Sequence, residues 1–195
     1  HADRLIISSP VLSNSKMHQI RTLGRTGYET IDIDLNYAES EGLAAAIQRI
    51  CEVSAQAIRD GKTLLVLSDK KIREGYLPAS AVMATGAVHH YLIQQSLRTD
   101  ANIIVETAVA RDPHQFAVIL GFGATAIYPY LAYDVINDLI AKGELLGDPI
   151  HAQANFRKGI EKGLLKVLSK MGISTVASYR GGQLFEAVGL SNEVV

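Results

Sequence analysis

The side chains with the widest chemical range gather in short polar clusters that end apolar runs. Ser68 and Asp69 close TLLVLSD and are followed by Lys70 and Lys71, while Glu106 sits near the end of NIIVETA. Asn36 and Tyr37 end TIDIDLNY, Tyr128 and Tyr130 end ATAIYPY, and Ser178, Tyr179, Arg180, Gly181 and Gly182 stand at the end of ISTVASY. Adjacent Asp69 and Lys70 have the types needed for an acid and an electrostatic stabiliser. A charged loop closing a strand is the simpler account of them, because loops are where surface charge collects. A carboxylate ending an apolar run, as Glu106 does, is expected to be partly buried, and an ion pair with a nearby Arg or Lys explains it more simply than catalysis does.

The cluster Ser178, Tyr179, Arg180, Gly181 is the candidate site, either for an anion or for an interdomain contact. It follows a run read as a strand and precedes a short helix over residues 183–188. That order would set an anion at a helix N-terminus, with Arg180 offering a two-pronged contact to a phosphate or carboxylate. The alternative is a structural loop whose arginine binds a carboxylate of its own polypeptide. Gly121-Phe122-Gly123-Ala124 does not qualify as a phosphate loop. It precedes a strand, whereas the dinucleotide fingerprint follows one and opens a helix.

Metal and nucleophile chemistry find little support. His89 and His90 are neighbours in a helical stretch, so their rings diverge by about 100° and cannot share one metal. The remaining histidines, His1, His18, His114 and His151, show no ligand spacing with carboxylates. Cys51 is the single cysteine and lies in an amphipathic stretch, where a packed thiol is the expectation. One cysteine also excludes an internal disulfide, and an iron–sulfur cluster held by this chain alone.

The elements that must hold these residues alternate. Strands are expected at 30–37, 63–69, 102–108, 124–130 and 173–179, and LLVL and IIV are apolar throughout, as strands covered on both faces are. Helices are expected at 41–59, 79–98, 112–121, 132–142 and 153–171. The first shows apolar residues at three- and four-residue steps from Leu43 to Ile58, with Ser40 as N-cap and Gly61 as stop. Asp112-Pro113 marks the start of the third. This alternation predicts an α/β fold: a mainly parallel open sheet, or a partial (β/α) barrel, with flanking helices. The Gly- and Pro-bearing stretch 143–155 reads as a linker, dividing an α/β body at 1–150 from a helix–strand–helix segment at 151–195.

A chain 48% apolar and 20% charged is expected to be globular. A formal net charge of −1 gives no basis for a nucleic-acid partner. Apolar stretches fall well short of the ~20 residues that a bilayer span needs, so no membrane partner is expected. The N-terminus lacks a signal-peptide pattern, and with the lone cysteine this points to a reducing, cytoplasmic compartment. Both termini read as cut ends of something longer.

The run NFRKGIEKGLLKVLSKMGISTVASYRGGQLFEAVGL, residues 155–190, resembles the end of the central domain of glutamate synthase large (alpha) subunits. LIISSPVLSNSKM, LPASAVMATGAVHHYLI and GFGATAIYPYLAYDVI resemble successive earlier parts of that domain, so the resemblance covers nearly the whole chain in order. It implies a cofactor-free domain between an amidotransferase domain, which releases ammonia from glutamine, and a domain holding FMN and an iron–sulfur cluster, which completes glutamate from 2-oxoglutarate. It also implies a share in walling the ammonia tunnel, with those two domains of the same polypeptide as partners. The electron donor (NADPH, NADH or ferredoxin) and self-association into a homo-oligomer stay open. So do two other readings: an autonomous phosphate- or flavin-binding (β/α) domain, and a free-standing interaction module.

Overall fold

Eight residues from Asn14 to Arg21 form the first helix, α1, and Ser13 caps it by accepting a hydrogen bond from the Lys16 amide. The computed structural model describes residues 5–186, 188–189 and 191. After α1 come β1 (Thr30–Asp34), β2 (Asn36–Ala38), α2 (Leu43–Arg59), β3 (Leu64–Ser68), β4 (Tyr76–Pro78) and α3 (Ala81–Gln94). A single 3-10 turn (Arg98–Asp100) leads to β5 (Asn102–Glu106), α4 (Pro113–Gly121), β6 (Ala126–Tyr128), α5 (Tyr130–Ala141), α6 (Pro149–Lys170) and the short α7 (Val176–Tyr179).

Four strands make one sheet in the order β1-β3-β5-β6, all parallel. The fold is therefore α/β with a parallel sheet and flanking helices, as the alternation predicts. The reason β3 reads as unbroken apolar sequence is now visible. Leu65 and Leu67 face a large core shared with α2, α3, α4 and α6, while Leu64 and Val66 face a smaller core closed by Leu12, Met17 and Ile20. Burial on both faces removes the polar alternation that a one-sided strand would show. α1, too polar overall to stand out in the sequence, is the lid of that second face.

Local signals explain most helix boundaries. Asp112 and Gln115 form a reciprocal capping box at α4, with Asp112 Oδ1 accepting from the amides of His114 (2.9 Å) and Gln115 (3.0 Å). Gly61, Gly143 and Gly172 follow α2, α5 and α6 with positive φ, as helix stops do. The cap of α2 is Gly42 rather than Ser40, and it offers no side-chain bond. The linker-like stretch is shorter than its composition suggests, because Asp148 caps α6 through the amides of Ile150 and His151. The division between residues 150 and 151 falls inside α6.

Three expectations fail. Residues 173–179 form no strand: Thr175 accepts a hydrogen bond from the Ser178 amide and turns the chain into α7. The free edge of β6 is paired instead with the N-terminal segment, through Ile127 N to Pro10 O (2.7 Å) and Leu12 N to Ile127 O (2.9 Å). The segment at 151–195 is thus not helix–strand–helix: α6 is followed by α7 rather than a strand, and of the helix expected at 183–188 the described residues 183–186 and 188 are not helical. Beyond the parallel sheet, β2 and β4 form an antiparallel pair that the strand reading of 30–37 merged into one element.

Candidate functional site

The parallel strands end together at an edge where Ser68 (β3) and Glu106 (β5) lie side by side in register. Glu106 is 2% exposed, and its carboxylate accepts from Arg21 Nη1 (3.1 Å), Arg21 Nη2 (2.9 Å) and Ser68 Oγ (2.6 Å). Arg21, at the end of α1, also donates to Asp32 Oδ1 on β1 (2.8 Å). Burial alone would raise the Glu106 carboxyl, but hydrogen bonds from Arg21 and Ser68 outweigh it and hold the group below its ordinary value. The expected ion pair is present, and its partner comes from a helix that the sequence reading did not identify.

A cavity of about 340 Å³ opens here, lined by Arg21, Asp32, Asp34, Ser68, Lys70, Lys71 and Glu106. Most of its polar groups are already engaged. Asp34 accepts from Arg73 Nη1 (2.8 Å) and from Asn36 Nδ2 (2.7 Å). Asp69 is buried and accepts from Thr107 Oγ1 (2.5 Å) and the Ala108 amide (3.1 Å), so it pins the loop after β5 rather than acting beside Lys70. Lys70 lies over the Tyr130 ring, 5.2 Å from its centre. Tyr128 donates to Asn14 (2.8 Å), which bonds Gln153 of α6 (3.2 Å), which bonds Asn137 of α5 (2.7 Å). These contacts close the carboxyl edge; they do not assemble a nucleophile, a base and a place for a developing charge.

Cys51 is buried in α2, and burial followed by the charge of Glu52 pushes its thiol up to about 11. A neutral thiol at this position is a packing group, not a nucleophile. Among the described residues no group of three or more His, Cys, Asp or Glu could hold a metal ion, and no helix is long and apolar enough to cross a membrane.

By their place after the apolar run 173–179, Ser178, Tyr179, Arg180 and Gly181 are expected beyond the carboxyl end of a strand. The structure puts them at the other end of the sheet. Arg180 Nη1 donates to Thr125 Oγ1 (2.8 Å), one residue ahead of β6, and the Gly181 amide donates to Gly121 O (2.8 Å) at the end of α4. Tyr179 is 1% exposed and packs edge-on to Phe185, while Ser178 is exposed. Gly181 holds φ +65°, and a Cβ there would lie 2.7 Å from His89 Nε2, so glycine is needed for two reasons at once. His89 and Arg98 meet in this place as well. Nothing in their local sequence marks them, because their contacts with Gly123 and Gly181 bridge separate elements.

Comparison with solved structures agrees on the fold. The chain superposes on a flavocytochrome b2 variant with sulfite bound with a TM-score of 0.53, at 14% identity, covering 94% of this chain and 43% of that one. Ligand-free DHODH from Eimeria tenella gives 0.50 at 16% identity, covering 81% and 40%. At such identities the likeness speaks for the fold alone, a parallel α/β arrangement spanning under half of a longer chain. Sequence relatives are far nearer. The chain is 42% identical to the glutamate synthase [NADPH] large chain of Bacillus subtilis over 98% of its length. It is 40% identical to the ferredoxin-dependent glutamate synthase of Pyropia yezoensis over 100%, and 38% identical to the glutamate synthase [NADH] of Schizosaccharomyces pombe over 98%. It spans 12%, 13% and 9% of those relatives' own lengths. With the model of the glutamate synthase central domain matching residues 1–191, the chain belongs to the glutamate synthase central-domain family.

Proposed function

We propose that this domain is the cofactor-free scaffold of a cytoplasmic glutamate synthase, set between its amidotransferase domain and the domain that holds FMN and an iron–sulfur cluster. In this role it serves conversion of glutamine, 2-oxoglutarate and a reductant into two molecules of glutamate. It holds the two reaction centres in place and helps wall the passage of ammonia between them, a task of exclusion and positioning rather than bond-making. The observation that carries this reading is the family match along the whole chain. It is supported by a carboxyl edge whose polar groups are committed to one another, Glu106 to Arg21 and Ser68, Asp69 to Thr107.

The loop of Ser178, Tyr179, Arg180 and Gly181 serves as an interdomain contact, because exposed Ser178 and half-buried Arg180 stand at the surface on a backbone anchored to α4. The test is the Arg180→Ala variant of the intact large chain. Glutamate formed per glutamine hydrolysed should fall, with the missing nitrogen released as free ammonia. Unchanged coupling with unchanged stability refutes the interdomain role, and a flavin band that co-purifies with the 195-residue chain refutes the cofactor-free one.

A further inference from the structure

The carboxyl edge pairs its arginines with carboxylates; among the described residues the two arginines at the amino edge have no such partner. Arg98, in the turn before β5, donates from Nε to His89 Nδ1 (2.9 Å), from Nη1 to Ala101 O (2.6 Å) and from Nη2 to Gly123 O (2.9 Å). Arg180 arrives from the far end of the chain and donates from Nη1 to Thr125 Oγ1 (2.8 Å). All four acceptors are uncharged. Among the described residues neither arginine forms an ion pair with a carboxylate, whereas Arg21, Arg49 and Arg73 all do.

A guanidinium carries five N–H donors and no acceptor. Among the described residues Arg98 therefore keeps two donors unused and Arg180 keeps four. His89 adds another. Its Nδ1 accepts from Arg98, so the ring proton sits on Nε2, which makes that nitrogen a donor too. What Arg98, Arg180 and the Nε2–H of His89 have left to offer is donors, and the chemical complement of these three groups is a group made of acceptors.

The cluster is held before any ligand arrives. Gly123, at φ +122°, and Gly181, at φ +65°, press backbone against the His89 ring so closely that a Cβ at either would come within 2.5 and 2.7 Å of a ring nitrogen. Carbonyls at Ala101 and Gly123 fix the plane of the Arg98 fork. Burial and then the charge of Arg180 push Arg98 down to about 10, and burial pushes Arg180 down as well. His89 is held down to about 4 by burial first, and then by Arg98, His90 and Arg180. Two like charges kept together in partial burial is an arrangement that a negative group would relieve.

We propose that Arg98, Arg180 and the Nε2–H of His89 form a binding site for a single oxyanion, a carboxylate or phosphate group, at the amino edge of β5 and β6. The occupant is either a free anion or an Asp or Glu side chain of another part of the large chain; the chemistry is the same. This deepens the interdomain reading of the Arg180 loop and rests on it only for the second source. It replaces the helix N-terminus expected at 183–188 with a second guanidinium as the partner of Arg180.

The test uses crystals of the intact large chain grown without sulfate or phosphate, examined as grown and after soaking in selenate, whose selenium marks the anion by anomalous scattering. A carboxylate already seated on Arg98 and Arg180 establishes the intrachain source. A selenate peak within hydrogen-bond reach of both establishes the free one, and inorganic phosphate should then bind in solution at least about tenfold more weakly to Arg180→Gln than to the parent. Arg180→Lys, which keeps the charge without the fork, guards against a folding defect and should bind between the two. Water alone at the site, or a peak undiminished in Arg98→Gln and Arg180→Gln, overturns the proposal. Such a failure leaves the coupling prediction standing, since that assay does not read the anion.

Discussion

Two glycines in α6 provide a paired substitution whose signs should differ. Gly159 has open space where a side chain would go, while a Cβ at Gly163 would lie 2.4 Å from Pro113 Cγ and 2.5 Å from Pro113 Cβ. Both positions are interior to the helix, where alanine is favoured over glycine by about 1 kcal/mol. Nothing opposes that gain at 159. Gly159→Ala should therefore stabilise by about 0.5–1 kcal/mol and raise Tm by about 2 °C. At 163 the obstacle is a rigid ring at the first position of α4, anchored by the Asp112 capping box, so it cannot swing aside as a flexible chain end would. Forcing a methyl group into such a contact costs about 1–3 kcal/mol, which exceeds the propensity gain. Gly163→Ala should destabilise by about 1 kcal/mol, leaving the two variants about 2 kcal/mol apart, a factor of about 30 in the folding equilibrium. Urea unfolding followed by circular dichroism reads this as opposite shifts of the midpoint at constant slope. If both variants shift together by similar amounts, the close approach of α6 to α4 at Gly163 is wrong. The docking of the C-terminal segment through that contact would be wrong with it.

Two further outcomes follow from buried charge. Glu106→Gln leaves Arg21 with Asp32 as its only carboxylate, and should destabilise by about 2 kcal/mol, below the ~3–5 kcal/mol of a fully orphaned buried charge; a urea midpoint shift worth less than about 0.5 kcal/mol would refute the pairing. Because the Glu106 carboxyl is held below its ordinary 4.5, its contribution is present above that pH and disappears as pH falls further, and the Gln variant should lack this acid limb. His89 acts in a higher window. Its folded value of about 4 lies below the ordinary 6.5, so the unfolded chain binds the extra proton and stability falls as pH drops from 6.5 toward 4. The slope should approach at most about 1.4 kcal/mol per pH unit and flatten in His89→Gln, and an unchanged slope would place the ring in solvent.

What the sequence determined by itself is whatever short-range chemistry decides. The Asp112-Pro113 start of α4 and the Gly61, Gly143 and Gly172 stops are backbone preferences settled within a few residues, and they stand where they were read. The apolar runs of β3 and β5 report burial on both faces, because each residue's hydrophobicity must suit the side it faces. The runs shared with glutamate synthases identified the family without any structure. Tertiary structure decided what depends on competition between distant segments. The apolar, β-branched run 173–179 has strand propensity, yet the β6 edge was taken by residues 10–12, and Thr175 made the turn into α7 the better use of the backbone. Arg21 meets Glu106 across 85 positions, and Arg180 meets Thr125 across 55. An ion pair or a cluster of donors is a property of space, and spacing along a chain carries no sign of it until the sheet brings its two ends together.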